Sequence, residues 1–234
     1  PGSGNTVFPY NTLTVGAATA MADTLNFGAL AISNNLIHFS VLDSTGAKQY
    51  ASTTVYGNSV LDMGLSQLIE ASADSSSVKL LSLAEIRTKH AGGISSTTAT
   101  GCLQHTGSRA TLNANANYTY YGSAAQNTGN ALPATITGVL EIDNTTALAS
   151  GGVTLTRATA VSGAGGTRAL SLKTGRLITT AGNLITVGNG SVITPAGGSS
   201  VSFVDGPLRK VGLTAAVPFV YPTGDTAKWA RRAI

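Results

Sequence analysis

The sequence predicts an all-β fold: a parallel β-helix or β-solenoid-like stack, followed by a cap or the start of a β-sandwich-like module. Three observations predict it. From Ala134 to Ser202 the chain repeats short runs with Val, Leu or Ile at alternate positions: ITGVLEI, GVTLT, RALSLKTGRLIT, NLITVGNGSVIT and SVSFV, closed by Gly or Asn. Period-two alternation marks strands with one buried face, and runs this short hold only if neighbours stack and share a core. Second, 10% of the residues are charged, against roughly 25% in ordinary soluble domains. Thr, Ser, Asn, Ala and Gly take their place, and these suit strands and tight turns better than long solvated helices. Third, turn residues such as Asn34-Asn35, Gly46, Gly57 and Gly64 punctuate the earlier segments at strand-length intervals. The spacing is uneven, with Leu140 and Leu170 much further apart than Leu170 and Leu184, as expected of a stack with irregular turns.

Each element follows in order. NTLTVG and TLNFGALAIS open the chain as strands, with Leu25 and Phe27, then Leu30 and Ile32, turned to one side. LIHFSVLD, KQYASTTVYG and SVLDMG continue as strands of five to eight residues. The stretch 65–90 is ambiguous, because SQLIEAS and SVKLLSLAEIRTKH hold residues that tolerate helix. Val78, Leu80, Ser82 and Ala84 nonetheless alternate with Lys79, Leu81, Leu83 and Glu85, so a strand buried on both faces is favoured and a short helix is the alternative. Gly92 to Asn130 is rich in Gly, Thr, Ser and Asn and contains the tyrosine cluster Tyr118, Tyr120 and Tyr121. The final segment breaks the pattern: Pro207, Pro218 and Pro222 disfavour a strand paired on both sides. Residues 1–205 are therefore expected to form the stack and 206–234 the cap or first strands of a following module, since an uncovered end invites aggregation.

Charge follows the same division. Residues 1–205 carry equal numbers of basic and acidic side chains. The net charge of +4 comes from 206–234, where Arg209, Lys210, Lys228, Arg231 and Arg232 face only Asp225. A short basic end beside one Trp lacks the long stripe with interleaved aromatics that nucleic-acid binding needs, so no nucleic-acid partner is expected. Cys102 is the single cysteine, which excludes an intrachain disulfide and a Cys-rich zinc site and suits a small core residue. No apolar run approaches the ~20 residues of a membrane-crossing helix, and no membrane insertion is expected.

Few residues carry recognisable chemistry. Glu141 and Asp143 lie two apart on an expected strand, which would aim both at one face for Ca²⁺ or glycoside chemistry; a solvated strand end is the alternative. A sugar-cleaving stack would gather acidic and basic groups along one face, whereas the ten carboxylates here are scattered in the sequence. His38, His90 and His105 fall in separate segments without metal-ligand spacing, and no G-x-S-x-G elbow exists. The Gly-rich piece Ser162 to Arg168 lacks the Lys-Ser/Thr of a phosphate loop and reads as a turn. Thr-x-Thr pairs at Thr12/Thr14, Thr135/Thr137 and Thr154/Thr156 are too irregularly spaced for a flat ice-binding array. Asn117, Asn144 and Asn189 each begin an N-x-S/T triplet, expected by chance in so Asn- and Thr-rich a chain. Tyr118, Tyr120 and Tyr121, with Tyr10, Tyr50 and Tyr56, are the candidate ligand-binding residues. They could stack on sugar rings or rigidify a subunit contact, or else form an internal ladder. No cofactor, metal site or catalytic residue is expected.

From about Gly92 onward the phrasing resembles a known class. The phrases ATGCLQHTGSRATLNANANYTYYGSAAQNTGNALPATITGVLEI, GVTLT, TGRLITTAGNLITVGNGSVI and SSVSFVDGPLRKVG with FVYPTGD resemble the repetitive cell-surface proteins of Bacteroidetes exported by the type IX secretion system. The resemblance implies β-solenoid or filamentous stalk modules, with FVDGPLRKVG…PTGD leading into a β-sandwich-like module. It also implies an extracellular or cell-surface location, and it carries no catalytic residues. On it the chain is expected to be a fragment or processed piece of a longer polypeptide, since it opens on Pro1 and stops soon after that signature. The expected function is non-enzymatic: an extracellular structural or adhesive module, as stalk, adhesin segment or filament subunit. Its partners would be sister modules or subunits, including a homo-polymer joined by strand donation, or extracellular glycans. The alternative is a glycan-binding or glycan-cleaving β-helix.

Overall fold

The computed structural model describes residues 12–15, 24–26, 36–38, 40–42, 48–50, 52–65, 67–69, 77–95, 101–104, 110–163, 168–213, 218–226 and 228–234. These residues are nearly all β and their sheets are largely parallel. Among them there is no α-helix, and Leu148–Ser150 makes a single 3-10 turn.

Parallel neighbours require long crossovers, and here strands of other sheets supply them. Thr12–Val15, Ser52–Val55, Ser77–Leu80 and Ala110–Leu112 pair in that order in one parallel sheet. Thr135–Ile136, Thr159–Val161, Ile185–Val187 and Leu208–Lys210 form another. Backbone bonds from Thr137 and Gly138 to the carbonyl of Ala114 (2.7 and 3.2 Å) link the two. A twelve-stranded sheet runs from Thr24–Asn26 through Val60–Asp62, Glu85–Thr88, Asn117–Tyr120, Leu140–Asp143 and Arg168–Ile178 to Ser202–Asp205 and Thr223–Asp225. Its last pairing reverses, with Thr223–Asp225 antiparallel to Lys228–Trp229. Val220–Tyr221 and Arg232–Ala233 form a separate antiparallel pair.

Register builds the core. Leu61, Ile86, Tyr118, Leu140 and Leu170 stand opposite one another on successive strands, and all are fully buried. Thr88, Tyr120, Ile142 and Leu172 form a second buried row. Each large apolar side chain in such a row contributes about 1.5–3 kcal/mol on burial, available only when strands on both sides cover it. Arg168–Ile178 serves two stretches of the long sheet, pairing first with Leu140–Asp143 and then with Ser202–Asp205. It bends at Gly175 (φ 85°), where a Cβ would stand 2.3 Å from the Asn144 carbonyl oxygen. The same bend leaves Lys173 as an extra residue between the pairs Ile142–Leu172 and Asp143–Thr174, a β-bulge.

Where described, residues 65–90 hold short strands joined by turns and no helix, rather than one strand buried on both faces. Ser77–Leu80 and Glu85–Thr88 are separated by a turn at Ser82–Leu83, and only the Val78, Leu80, Ile86 and Thr88 side is buried. Leu83 takes a left-handed backbone (φ 63°) and is exposed. The turn is held from both sides, as Leu83 N–H donates to Asn115 O (2.8 Å) and Leu83 O accepts from Asn58 N–H (2.9 Å). Tertiary bonding thus overrides the alternation that made the segment look continuous. Of the opening strands, Phe27, Leu30 and Ile32 lie outside the described residues.

Candidate functional site

The candidate site lies on the non-core side of the twelve-stranded sheet. Register there aligns Asp62, Arg87, Thr119, Glu141 and Ser171 across successive strands, with Glu85 two residues before Arg87. Glu85 holds Arg87 through a bond of 2.7 Å from Nε to Oε1 and one of 3.4 Å from Nη2 to Oε2, and it accepts the Thr119 hydroxyl at 2.7 Å. The bulged Lys173 reaches Glu141, Nζ to Oε1 2.6 Å. Asp62 accepts from Gly64 N–H (3.0 Å) and from the Tyr121 hydroxyl. Lys89 Nζ sits 4.9 Å from the centroid of the Tyr121 ring, at cation–π range.

The electrostatics follow from these contacts. The bonded Glu85 carboxylate holds the Arg87 pKa above its ordinary value, against the opposing effect of partial burial. Burial, reinforced by the bond to Asp62, pushes the Tyr121 phenol up, so it stays a neutral donor. Each carboxylate of the row is engaged by a cation or by donors, and the Tyr121 ring is the aromatic surface beside them. The row offers charge-assisted hydrogen bonds to a polyhydroxylated ligand, from Arg87 and Lys173 above all, whose side chains are 43% and 52% exposed.

The other expected residues separate. Tyr118 and Tyr120 are fully buried in the core rows, where their rings are closed to a sugar in the folded chain. Strand alternation turns them inward, and their hydroxyls donate to Asn113 O and Thr128 O, each at 2.7 Å. Burial raises both phenol pKa values. Only Tyr121, where the chain leaves the strand, reaches the outer side. Tyr10 lies outside the described residues, and Tyr50 is described in backbone only. Glu141 and Asp143 stand two apart on one strand, and Glu141 is buried and ion-paired with Lys173, the bulged residue of the neighbouring strand.

His90 is half-buried, accepting from Gly92 N–H at Nδ1 (3.1 Å) and lying 2.8 Å from Gln67 Nε2 at its own Nε2, and burial lowers its pKa. His105 lies outside the described residues. Cys102 is wholly buried, and burial pushes its thiol up to about 12. Among the described residues no three His, Cys, Asp or Glu side chains gather as a metal set. Asn144 is fully buried and closed to a sugar in the folded chain, and Asn117 Oδ1 accepts from Val139 N–H at 2.9 Å.

The line of Asp62, Arg87, Thr119, Glu141 and Ser171 escaped the sequence reading because no spacing rule relates its members; only strand register does. A different feature lies toward the C-terminal end. An apolar cavity of about 430 Å³ is lined by Val192, Ile193, Leu213, Pro218 and Phe219, with Lys210 at its wall. Comparison of the chain with protein-family models, curated proteins and solved structures finds no match.

Proposed function

We propose that this chain is an extracellular structural or adhesive module, a stalk or adhesin segment built as a parallel β-solenoid, with the antiparallel pairs of 220–234 closing the long sheet. The observation that carries the reading is the in-register repetition of parallel strands along one direction, Leu61 to Ile86 to Tyr118 to Leu140 to Leu170. Such stacking runs backbone hydrogen bonds between successive strands along one axis, so each strand layer is held by its neighbours. Low charge and the resemblance of residues 92–234 to exported surface proteins support a place outside the cell. Hydrogen exchange on the whole chain tests the stack: slow exchange of the amides that bond Val60–Asp62, Glu85–Thr88, Asn117–Tyr120 and Leu140–Asp143 side by side is expected, and free exchange there would end the solenoid reading. Surface labelling of the producing cells with an antibody to the chain, and loss of adhesion on its deletion, test the role.

A second reading has its own observation, the Arg87, Tyr121 and Lys173 side chains collected on one outer face. It makes that face a glycan-binding strip. Glycan-array binding that falls at least tenfold in both Arg87→Ala and Tyr121→Ala would support it, and no binding to any glycan would remove it.

A further inference from the structure

Leu208–Lys210 is the last strand of its sheet, paired on one side with Ile185–Val187. Among the described residues no strand pairs with its other side. The long sheet ends differently, turned back on itself by Lys228–Trp229, whose indole N–H donates to Gly197 O at 2.9 Å. The end strand therefore leaves a parallel edge, with Val211 and Leu213 exposed just beyond it at 44% and 45%. An open edge beside exposed apolar side chains is a template for another chain.

What stands at that edge is a lysine in a core position. Register carries one row from Ile136 to Val161 to Val187, all fully buried, and the next place is Lys210. In-register parallel neighbours point the same way, so Lys210 is turned inward. Its Nζ donates to the Gly188 carbonyl and sits 5.4 Å from the Phe219 ring centroid, at the wall of the apolar cavity. Arg209, between the inward positions, is exposed. Pro207, just before the strand, has no N–H to offer a partner.

The strand a second copy would bring to this edge is Thr12–Val15, which among the described residues pairs on one side only and lies at the other end of the linked sheets. Its sequence TLTV holds no carboxylate. Pairing would enclose the Lys210 ammonium in the extended core with no counter-charge, which is strongly unfavourable.

We propose that Lys210 guards the open edge of Leu208–Lys210: an ammonium at the inward place of that strand keeps a second copy of this chain from pairing its Thr12–Val15 strand there, and so blocks self-association through these two edges. This rests on the stacked reading above. The test compares the whole wild-type chain with Lys210→Val and Arg209→Val by size-exclusion chromatography with light scattering over a concentration series, with circular dichroism to confirm folding. Lys210→Val is expected to self-associate at a concentration at least tenfold lower than wild type, while Arg209→Val, which adds the same apolar group outside the core row, follows wild type. Lys210→Met keeps the aliphatic stem against Phe219 and serves if the valine variant does not fold. A folded Lys210→Val or Lys210→Met that stays as monomeric as wild type overturns the proposal, as does equal association by Arg209→Val. Hydrogen exchange on the same samples separates the two readings: protected strand amides in wild type without a Lys210 effect remove only the guard, and free exchange of those amides removes both.

Discussion

The Asn144 side-chain amide donates to Gln126 Oε1 at 2.9 Å, and both residues are buried. Around this bond every polar atom of the two amides is used. Asn144 Nδ2 also donates to Ala124 O (2.8 Å) and its Oδ1 accepts from Thr146 N–H (2.9 Å). Gln126 Oε1 accepts from Gly122 N–H (2.9 Å), and its Nε2 donates to Thr88 O and His90 O, both at 3.2 Å. The pair thus ties together three successive passes of the chain beside the sheet.

Asn144→Ala leaves the Ala124 carbonyl and the Thr146 N–H without this partner. The expected loss is about 2–6 kcal/mol of unfolding free energy, at about 1–3 kcal/mol for each of the two groups orphaned, with the part-buried bonds placing it toward the lower end. Urea denaturation measures it. A double-mutant cycle with Gln126→Ala should return a coupling of about 0.5–3 kcal/mol, and a coupling near zero would show that the two amides act independently.

Tyr118 and Tyr120 are expected to behave as core residues. Tyr120→Phe removes only the bond to Thr128 O and should cost about 1 kcal/mol, whereas Tyr120→Ala or Tyr118→Ala should cost about 3–5 kcal/mol. Glycan binding, if the outer face has it, should be unaltered in the folded phenylalanine variants and lost in Tyr121→Ala.

Leu83 holds a left-handed backbone between Asn58 and Asn115, and Asn58 has the same conformation (φ 64°). Asn tolerates that conformation where Leu pays about 1–2 kcal/mol. Leu83→Asn is therefore expected to raise stability by about 0.5–1 kcal/mol and remove an exposed apolar side chain; thermal unfolding checks the sign.

His90 makes stability depend on pH. Its folded pKa lies below the unfolded value of about 6.5, so the unfolded state binds the proton first as pH falls. Its contribution is full above the unfolded pKa and is lost as pH drops from about 7 through 6.5 towards the lowered folded value. Protonation at Nδ1 also removes the acceptor for Gly92 N–H. Denaturation midpoints between pH 7.5 and 5.5, compared with His90→Gln, should show a slope in wild type that the variant lacks.

Much of the strand content was legible because alternation is local: Leu170 and Leu172, or Ile185 and Val187, declare their buried face in the sequence itself. The tyrosines were legible as a cluster but not as core, since Tyr118, Tyr120 and Tyr121 differ only in which side of the backbone each leaves. The turn at Leu83 was hidden, because the bonds that impose it come from Asn58 and Asn115. The charged row was hidden for the same reason, its members being separated by whole passes of the chain.

By itself, the sequence determined an all-β chain of short strands, low in charge and with its net charge at one end, because period-two patterning and turn residues act over a few neighbours. Only the tertiary structure decided which strands lie side by side. That choice buried Tyr118 and Tyr120, joined Thr119 to Glu85, set Lys173 on Glu141, and put Lys210 at the end of an apolar row. Parallel pairing is non-local, and its register is set by the collective burial of side chains far apart in the chain.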